Sequence, residues 1–331
     1  MIQKYNADIV ATQEGRIQQL EYLDEALESF RWIGCCRNGT HEDEHCAIFF
    51  NKEKFTLIQE ETIWLSETPH IEGSVGWDGA KARIATWVLL GLVQGEKEQG
   101  HHYPLQICIV NTHLDHVGVR AREESAKALL SLVDRLQQKF PEAFIALAGD
   151  FNSVKSNNKV YETLARGGGG GGGGGVQGLY DMWKKAKMTN KPGQAPRSTI
   201  HKFLGVNFAG EKGQAKMQKT AHHMLAPEIY NTISRKTDVW RRVGRTRSKQ
   251  QDSAVLWEEG GGAASYEGGG EDSQHIDWLL YRGDSNSDSS KVLDVRIITC
   301  RAITDSLADV LNDDHFPVAA EIQLIPRVVR D

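Results

Sequence analysis

Residues 144–148, Phe-Ile-Ala-Leu-Ala, form an unbroken apolar run that closes on Gly149-Asp150-Phe151-Asn152. A short apolar run bounded by glycine and polar residues reads as a buried strand. Strand side chains alternate with period two, so an Asp and an Asn two residues apart are expected on the same side of its carboxyl end. A carboxylate beside an amide can hold and deprotonate a water while gripping an oxyanion. A strand-to-turn cap accounts for the same four residues equally well.

The pattern recurs. Strand-like runs fall at residues 8–12, 47–50, 84–93, 105–111, 276–281, 295–299 and 318–324. Two helices are predicted. One spans 16–30. The other spans about 119–140, with Ala126, Leu129, Leu130, Val133, Leu136 and Phe140 on one apolar stripe. Strands and helices mixed without a strict βαβ rhythm predict a mixed sheet core with helices outside.

Two segments read as insertions within a single domain over 1–331. Residues 166–176 contain an uninterrupted glycine run, which has no side chains to bury and the most backbone entropy to lose. No Lys-Ser/Thr follows it, so it is not a phosphate-binding loop. The second insertion, 206–273, carries a basic cluster between residues 235 and 249 that includes Arg241, Arg242 and Arg245. It reads either as a solvated loop or as a patch for RNA, phosphorylated partners or acidic membranes.

Net charge is −5, so no global basic field recruits nucleic acid. The five cysteines show no CxxC spacing, which argues for thiols in a reducing compartment. No apolar run reaches the roughly 18–20 residues of a membrane helix. The start lacks a signal-peptide apolar core, and the reading is an intracellular protein, cytoplasmic or nuclear.

Four further polar clusters border strand-like runs. These are Gln13-Glu14, Asn111-Thr112-His113-Leu114-Asp115-His116, His275-Ile276-Asp277-Trp278 and Asn312-Asp313-Asp314-His315-Phe316-Pro317. Each alone has a bland explanation: a surface acid, a structural histidine, a turn residue or loop polarity. Together they put acids, amides and histidines on one rim of a sheet, which suits hydrolysis at a metal ion.

This ordered set resembles the endonuclease/exonuclease/phosphatase family of metal-dependent phosphoesterases, over most of the chain outside the two insertions. Residues 62–69, 76–78 and 83–87 resemble a branch of that family distinct from the apurinic endonucleases. The resemblance implies an α/β fold, a four-layer α/β sandwich of two packed mixed sheets flanked by helices. It implies Mg²⁺, with Mn²⁺ an alternative, held by Glu14 with Asp314 at or beside the ion. Asp150 would orient or deprotonate the attacking water, and Asn152 would hold that water and a phosphate oxygen. His113 would contact the scissile phosphate. His315 would stabilise the transition state, with Asp277 fixing its ring. Trp77, Arg83, Arg122 and His201 are candidates for lining or clamping substrate.

Family members begin with a further strand bearing an Asn, well before the Gln-Glu pair. Only thirteen residues precede Glu14 here. The expectation is that this strand, its Asn and most of the first helix are missing. Three functions follow in order: a nucleic-acid phosphodiesterase, such as an RNA 3′-exonuclease; a phosphatase on a small phosphorylated metabolite or inositol phosphate; and a scaffold that keeps the fold without the chemistry.

Overall fold

The computed structural model describes residues 2–93, 105–156, 158–167, 176–188, 275–283, 293–303 and 317–326. In chain order the elements are β1 (Ile9–Gly15), α1 (Ile17–Ala26), β2 (Phe30–Ile33), β3 (His45–Asn51), β4 (Phe55–Trp64), β5 (Ile84–Leu92), β6 (Gln106–His113), α2 (Val119–Lys139) and β7 (Phe144–Asp150). There follow α3 (Lys159–Arg166), β8 (Tyr180–Asp181), α4 (Met182–Lys185), β9 (Asp277–Tyr281), β10 (Leu293–Ala302) and β11 (Val318–Pro326).

The central sheet has six strands in the order β4-β5-β6-β7-β9-β8. It is mixed: β6 and β7 run parallel, and its other neighbours are antiparallel. One face of it packs Trp87, Val110, Ile145, Leu147 and Leu280 against Leu129, Val133 and Leu136 of α2 and Leu164 of α3. The other face packs Val88, Leu90, Ile109 and Tyr281 against Ile48 and Phe50 of β3 and Ile297 and Ala302 of β10. Beyond β3, Leu20 of α1 and Leu27 cover Ala47 and Phe49. The succession is helix, sheet, sheet, helix, which is the expected four-layer sandwich. Its second layer is described in two antiparallel pieces, β1-β3-β2 and β10-β11.

The strand expectations hold in place; most lengthen, while 84–93 and 276–281 each lose one residue. The first helix is shorter than 16–30. It ends at Ala26, because Phe30 to Ile33 pair with β3 and send Phe30 and Trp32 to one face and Ile33 to the other. Strand β4 was not anticipated. It is an edge strand in which Thr56, Gln59, Glu60 and Glu61 interrupt the apolar pattern, and a bulge falls between Leu57 and Gln59. Charged residues on an edge discourage pairing with another chain. Helix α3 was also missed; Asn158 caps it by accepting a hydrogen bond from the Val160 amide at 2.9 Å.

The five cysteines are free thiols. Burial pushes the thiols of Cys46 and Cys108 up to about 12, so they serve as small core residues. No helix among the described residues is long and apolar enough to cross a membrane. Gly167 and Gln177 form a β-bridge across the glycine run. The insertion at 206–273 and most of the glycine run lie outside the described residues.

Gly149 is required by close approach. A Cβ there would sit 2.2 Å from the Thr112 carbonyl oxygen, its register partner on β6. Gly149→Ala should therefore cost about 2–3 kcal/mol through overpacking at the sheet centre. A lowered urea midpoint at unchanged slope is the expected reading.

Candidate active site

The site is built where β6 and β7 end together. Their parallel register pairs His113 with Asp150, and the antiparallel register of β7 with β9 sets Asp277 opposite Asp150. Three of the sequence-predicted residues thus share one rim through backbone pairing alone.

Asn152 arrives by a different route from the expected strand alternation. The strand stops at Asp150, and the Asn152 amide N–H donates to Asp150 Oδ1 at 2.8 Å. This is an Asx turn, with Asn152 in the left-handed region at φ 45°. The Asn152 side chain then turns back, placing Nδ2 2.9 Å from the Leu114 carbonyl oxygen and 2.9 Å from His113 Nε2. A carbonyl only accepts, so the amide nitrogen must face it. Its second hydrogen then meets Nε2, which accepts in the Nδ1–H tautomer. Asp150 Oδ2 lies 3.5 Å from the same Nε2.

Glu14 is delivered from the other sheet. Buried Asn111, on β6, donates through Nδ2 to the Thr12 carbonyl at 2.8 Å and to the Ala47 carbonyl at 3.0 Å. Its Oδ1 accepts from Gln13 Nε2 at 2.7 Å. The β1–β3 register shifts between Thr12 and Gly15, and Glu14 sits within that irregularity at φ 59°. A bulge re-aims a side chain. Here the Glu14 carboxylate comes 3.9 Å from His113 Nε2 while remaining 65% exposed. The sequence motif held Gln13 and Glu14, but the Asn111 anchor was visible only as part of a longer string.

Asp115, adjacent to this cluster, braces the rim. Its carboxylate accepts backbone N–H bonds from Ala80, Lys81, Val117 and Gly118 at 2.7–3.1 Å. Burial alone would raise its pKa. The backbone donors and the Arg83 guanidinium outweigh that and hold it down to about 2. Arg83 is itself buried, 3.5 Å from Asp115 Oδ2 through Nε and 2.9 Å from His116 Nδ1 through Nη2. Arg122 donates through Nη1 to the Asp115 carbonyl at 2.9 Å. Both arginines are thus engaged in holding the loop after β6. Trp77 stands at φ 51°, its amide donating to Glu67 Oε2 at 3.2 Å. The neighbouring Asp78 caps α2 by accepting from the Ala121 amide at 2.6 Å. His201, Asp314 and His315 lie outside the described residues.

The donors present are hard oxygens: the Glu14 carboxylate, the Asp150 carboxylate and the Asn152 amide. Mg²⁺ is commonly held by one or two carboxylates, with waters and substrate oxygens filling its shell. Among the described residues no three His, Cys, Asp or Glu side chains enclose a metal position. The oxygen donors suit an ion of that kind.

The family described as Endonuclease/Exonuclease/phosphatase matches residues 1–298, and the chain belongs to it. Members of that family hydrolyse phosphate esters and generally depend on a divalent metal. Among solved structures, an endonuclease/exonuclease/phosphatase from Bacteroides vulgatus is similar at 22% identity, covering 98% of this chain and 87% of that one, with a TM-score of 0.60. The mannosyl-6-phosphatase of Bacteroides thetaiotaomicron is similar at 22% identity, with 98% and 88% covered and a TM-score of 0.60. A protein of unknown function from Enterococcus faecalis is similar at 20% identity, with 97% and 87% covered and a TM-score of 0.58. These likenesses show the shared fold. No curated protein matches the chain by sequence.

Asp115 gives a pH prediction. Its pKa is lower folded than unfolded, where the ordinary value is 3.8. Its contribution to stability is present above that value and is lost as pH falls toward about 2. Asp115→Asn should leave Arg83 buried without its anion and cost roughly 3 kcal/mol at neutral pH. The variant's unfolding free energy should also fall less steeply than the parent's between pH 4 and 2, as read by chemical denaturation at each pH.

Proposed function

We propose that the chain is a divalent-metal-dependent phosphoester hydrolase, with Mg²⁺ as the ion and Mn²⁺ as a substitute. The observation that carries this reading is the meeting of Asp150, Asn152 and Glu14 around His113 Nε2, on a rim also bordered by Asp277.

In this reading Asp150, buried and fixed by the Asn152 amide, orients the attacking water and takes its proton. Both hydrogens of Asn152 Nδ2 are engaged, so Asn152 receives that water through Oδ1. His113, expected from the resemblance to contact the scissile phosphate, is buried beside Asn152 Nδ2 and in this reading acts by holding that amide instead. Glu14, the exposed carboxylate, holds the ion, and Asp314 stands with it. A bound divalent ion would neutralise charge on a phosphate oxygen as the phosphorus–oxygen bond to the leaving group breaks. His315 stabilises the same developing charge, with Asp277 orienting its ring.

The favoured substrate is a nucleic-acid phosphodiester, on the strength of the basic cluster between residues 235 and 249. The second reading is a phosphatase acting on a sugar phosphate or related metabolite. Similarity to the mannosyl-6-phosphatase favours it. The chain is taken as one domain carrying insertions at 166–176 and 206–273.

A substrate panel with Mg²⁺ tests these readings. It compares single-stranded RNA, single-stranded DNA, a sugar phosphate, an aryl phosphodiester and an aryl phosphomonoester. A nuclease should lose activity steeply with added salt as phosphate contacts are screened, whereas a metabolite phosphatase should not. Asp150→Asn should lower turnover at least about 100-fold while the protein stays folded. Wild-type rates in that variant would remove the assignment.

A further inference from the structure

The loop after β7 is buried although it is irregular. Phe151, Asn152, Ser153 and Lys155 all lie in the interior. Buried loops are uncommon because their backbone polar groups need partners. A lysine is among the residues least often found inside.

Lys155 has its partner across the sheet. Its Nζ lies 2.9 Å from Asp181 Oδ2, and both side chains are at most 5% exposed. Asp181 also accepts from Tyr161 Oη at 2.7 Å and from the Trp183 amide at 2.9 Å. Tyr161 meets Trp278 edge to face, at 5.2 Å between ring centroids. Trp278 stacks on Phe151 at 4.3 Å and 12°. Phe151 stands between Asp150 and Asn152, and Trp278 follows Asp277. The contacts therefore close a circuit: Lys155 to Asp181, to Tyr161, to Trp278, to Phe151, and back along the chain to Lys155.

We propose that Lys155 is a positioning residue for hydrolysis, and that its ion pair with Asp181 holds the Asp150–Asn152 turn in register with β9. The proposal rests on the active-site reading above. The physical case is one of cost. A buried ammonium must be taken out of water, and an apolar side chain of similar length would fill the space without that penalty. What the ammonium adds is a tie. Its Nζ meets Asp181 Oδ2 at 2.9 Å and lies over the Tyr161 and Trp183 rings, so the loop end is held to β8 and to the aromatic layer. Asn152 is left-handed and depends on its surroundings to stay so. With the far end of the loop loosened, the Phe151 stack alone would have to hold the turn.

The test compares Lys155→Met with the parent chain and with Lys155→Arg, by steady-state kinetics and amide hydrogen exchange. The expected result for Lys155→Met is a fall in kcat on the order of 30- to 100-fold with KM changed little, as a misplaced reactive group produces. Exchange should rise selectively at the Phe151 amide, which bonds to the Ile276 carbonyl, and at the Asn152 amide, which bonds to Asp150 Oδ1. Amides of β5 serve as the internal reference. Lys155→Arg should recover part of the loss. If Lys155→Met fails to fold, Asp181→Asn takes its place; it keeps an oxygen acceptor for the Trp183 amide and turns its Nδ2 to the Tyr161 hydroxyl oxygen, which can accept.

Two results would overturn the proposal. One is a folded Lys155→Met chain with parental kcat and parental exchange at residues 151 and 152. The other is exchange rising evenly through the domain, which would mark Lys155 as a stability residue only. If the parent chain hydrolyses none of the panel substrates, the active-site reading fails; the exchange comparison still decides whether Lys155 holds the turn.

Discussion

The parallel pairing of β6 with β7 is the contact on which the site depends. Both strands are buried at the sheet centre, and the helix between them, α2, covers one of their faces. Backbone register makes His113 and Asp150 neighbours before any side-chain interaction is considered. The register is guarded sterically, since the Thr112 carbonyl occupies the space a Cβ at 149 would need. A single βαβ segment, residues 106–150, therefore carries two of the polar clusters by itself. The remaining clusters are brought to it by longer-range contacts.

Those contacts share one device. A buried polar side chain captures backbone groups of a neighbouring segment and so fixes where that segment ends. Asn111 takes carbonyls from β1 and β3. Asp115 takes amides from two loops, at 80–81 and 117–118. Asp78 holds the start of α2. Each satisfies hydrogen-bonding groups that would be costly to bury unpaired. Three non-glycine residues of this region, Glu14, Trp77 and Asn152, adopt left-handed backbone. Such positions cost of order 1 kcal/mol or more apiece and persist only where the surroundings over-determine them. Gln13, beside Glu14, is held by Asn111, the Trp77 amide by Glu67 and the Asn152 amide by Asp150.

How much of this was legible follows from the same distinction. Apolar runs ending in polar strings were readable because a strand writes its period into the sequence. Gly149-Asp150-Phe151-Asn152 and the string from Asn111 to His116 were found on that basis, and the structure brings them together. Strand β4 hid because an edge strand tolerates polar residues on its exposed side. For Asp150 and Asn152 the sequence left strand alternation and a strand-to-turn cap equally open, and the structure shows the turn. Arg83 and Arg122 were read as candidates for clamping substrate; the structure adds that buried Arg83 contacts Asp115 and His116 and that Arg122 donates to the Asp115 carbonyl, contacts the sequence did not announce. Lys155 sits in Ser153-Val154-Lys155-Ser156, a string from which the sequence reading drew nothing. Its partner is Asp181, and nothing local announces the pair.

The two carboxylates nearest His113 differ in a way that bears on the proposed chemistry. Asp150 is buried, with one oxygen bonded to a backbone amide. Glu14 is open to solvent and held out by a bulge. His113 Nε2 lies 3.5 Å from the Asp150 carboxylate, 3.9 Å from the Glu14 carboxylate and 2.9 Å from Asn152 Nδ2. In the proposed mechanism a cation would bind against these two acids, which come from opposite sheets. In that mechanism an ion arriving from solvent would meet the exposed acid first, and the buried acid, already oriented, would take the proton of the attacking water. In the proposed mechanism this difference in exposure decides which carboxylate takes the metal and which takes the water. Such a division could not be read from the sequence, where Glu14 and Asp150 are both simply acids at the ends of apolar runs.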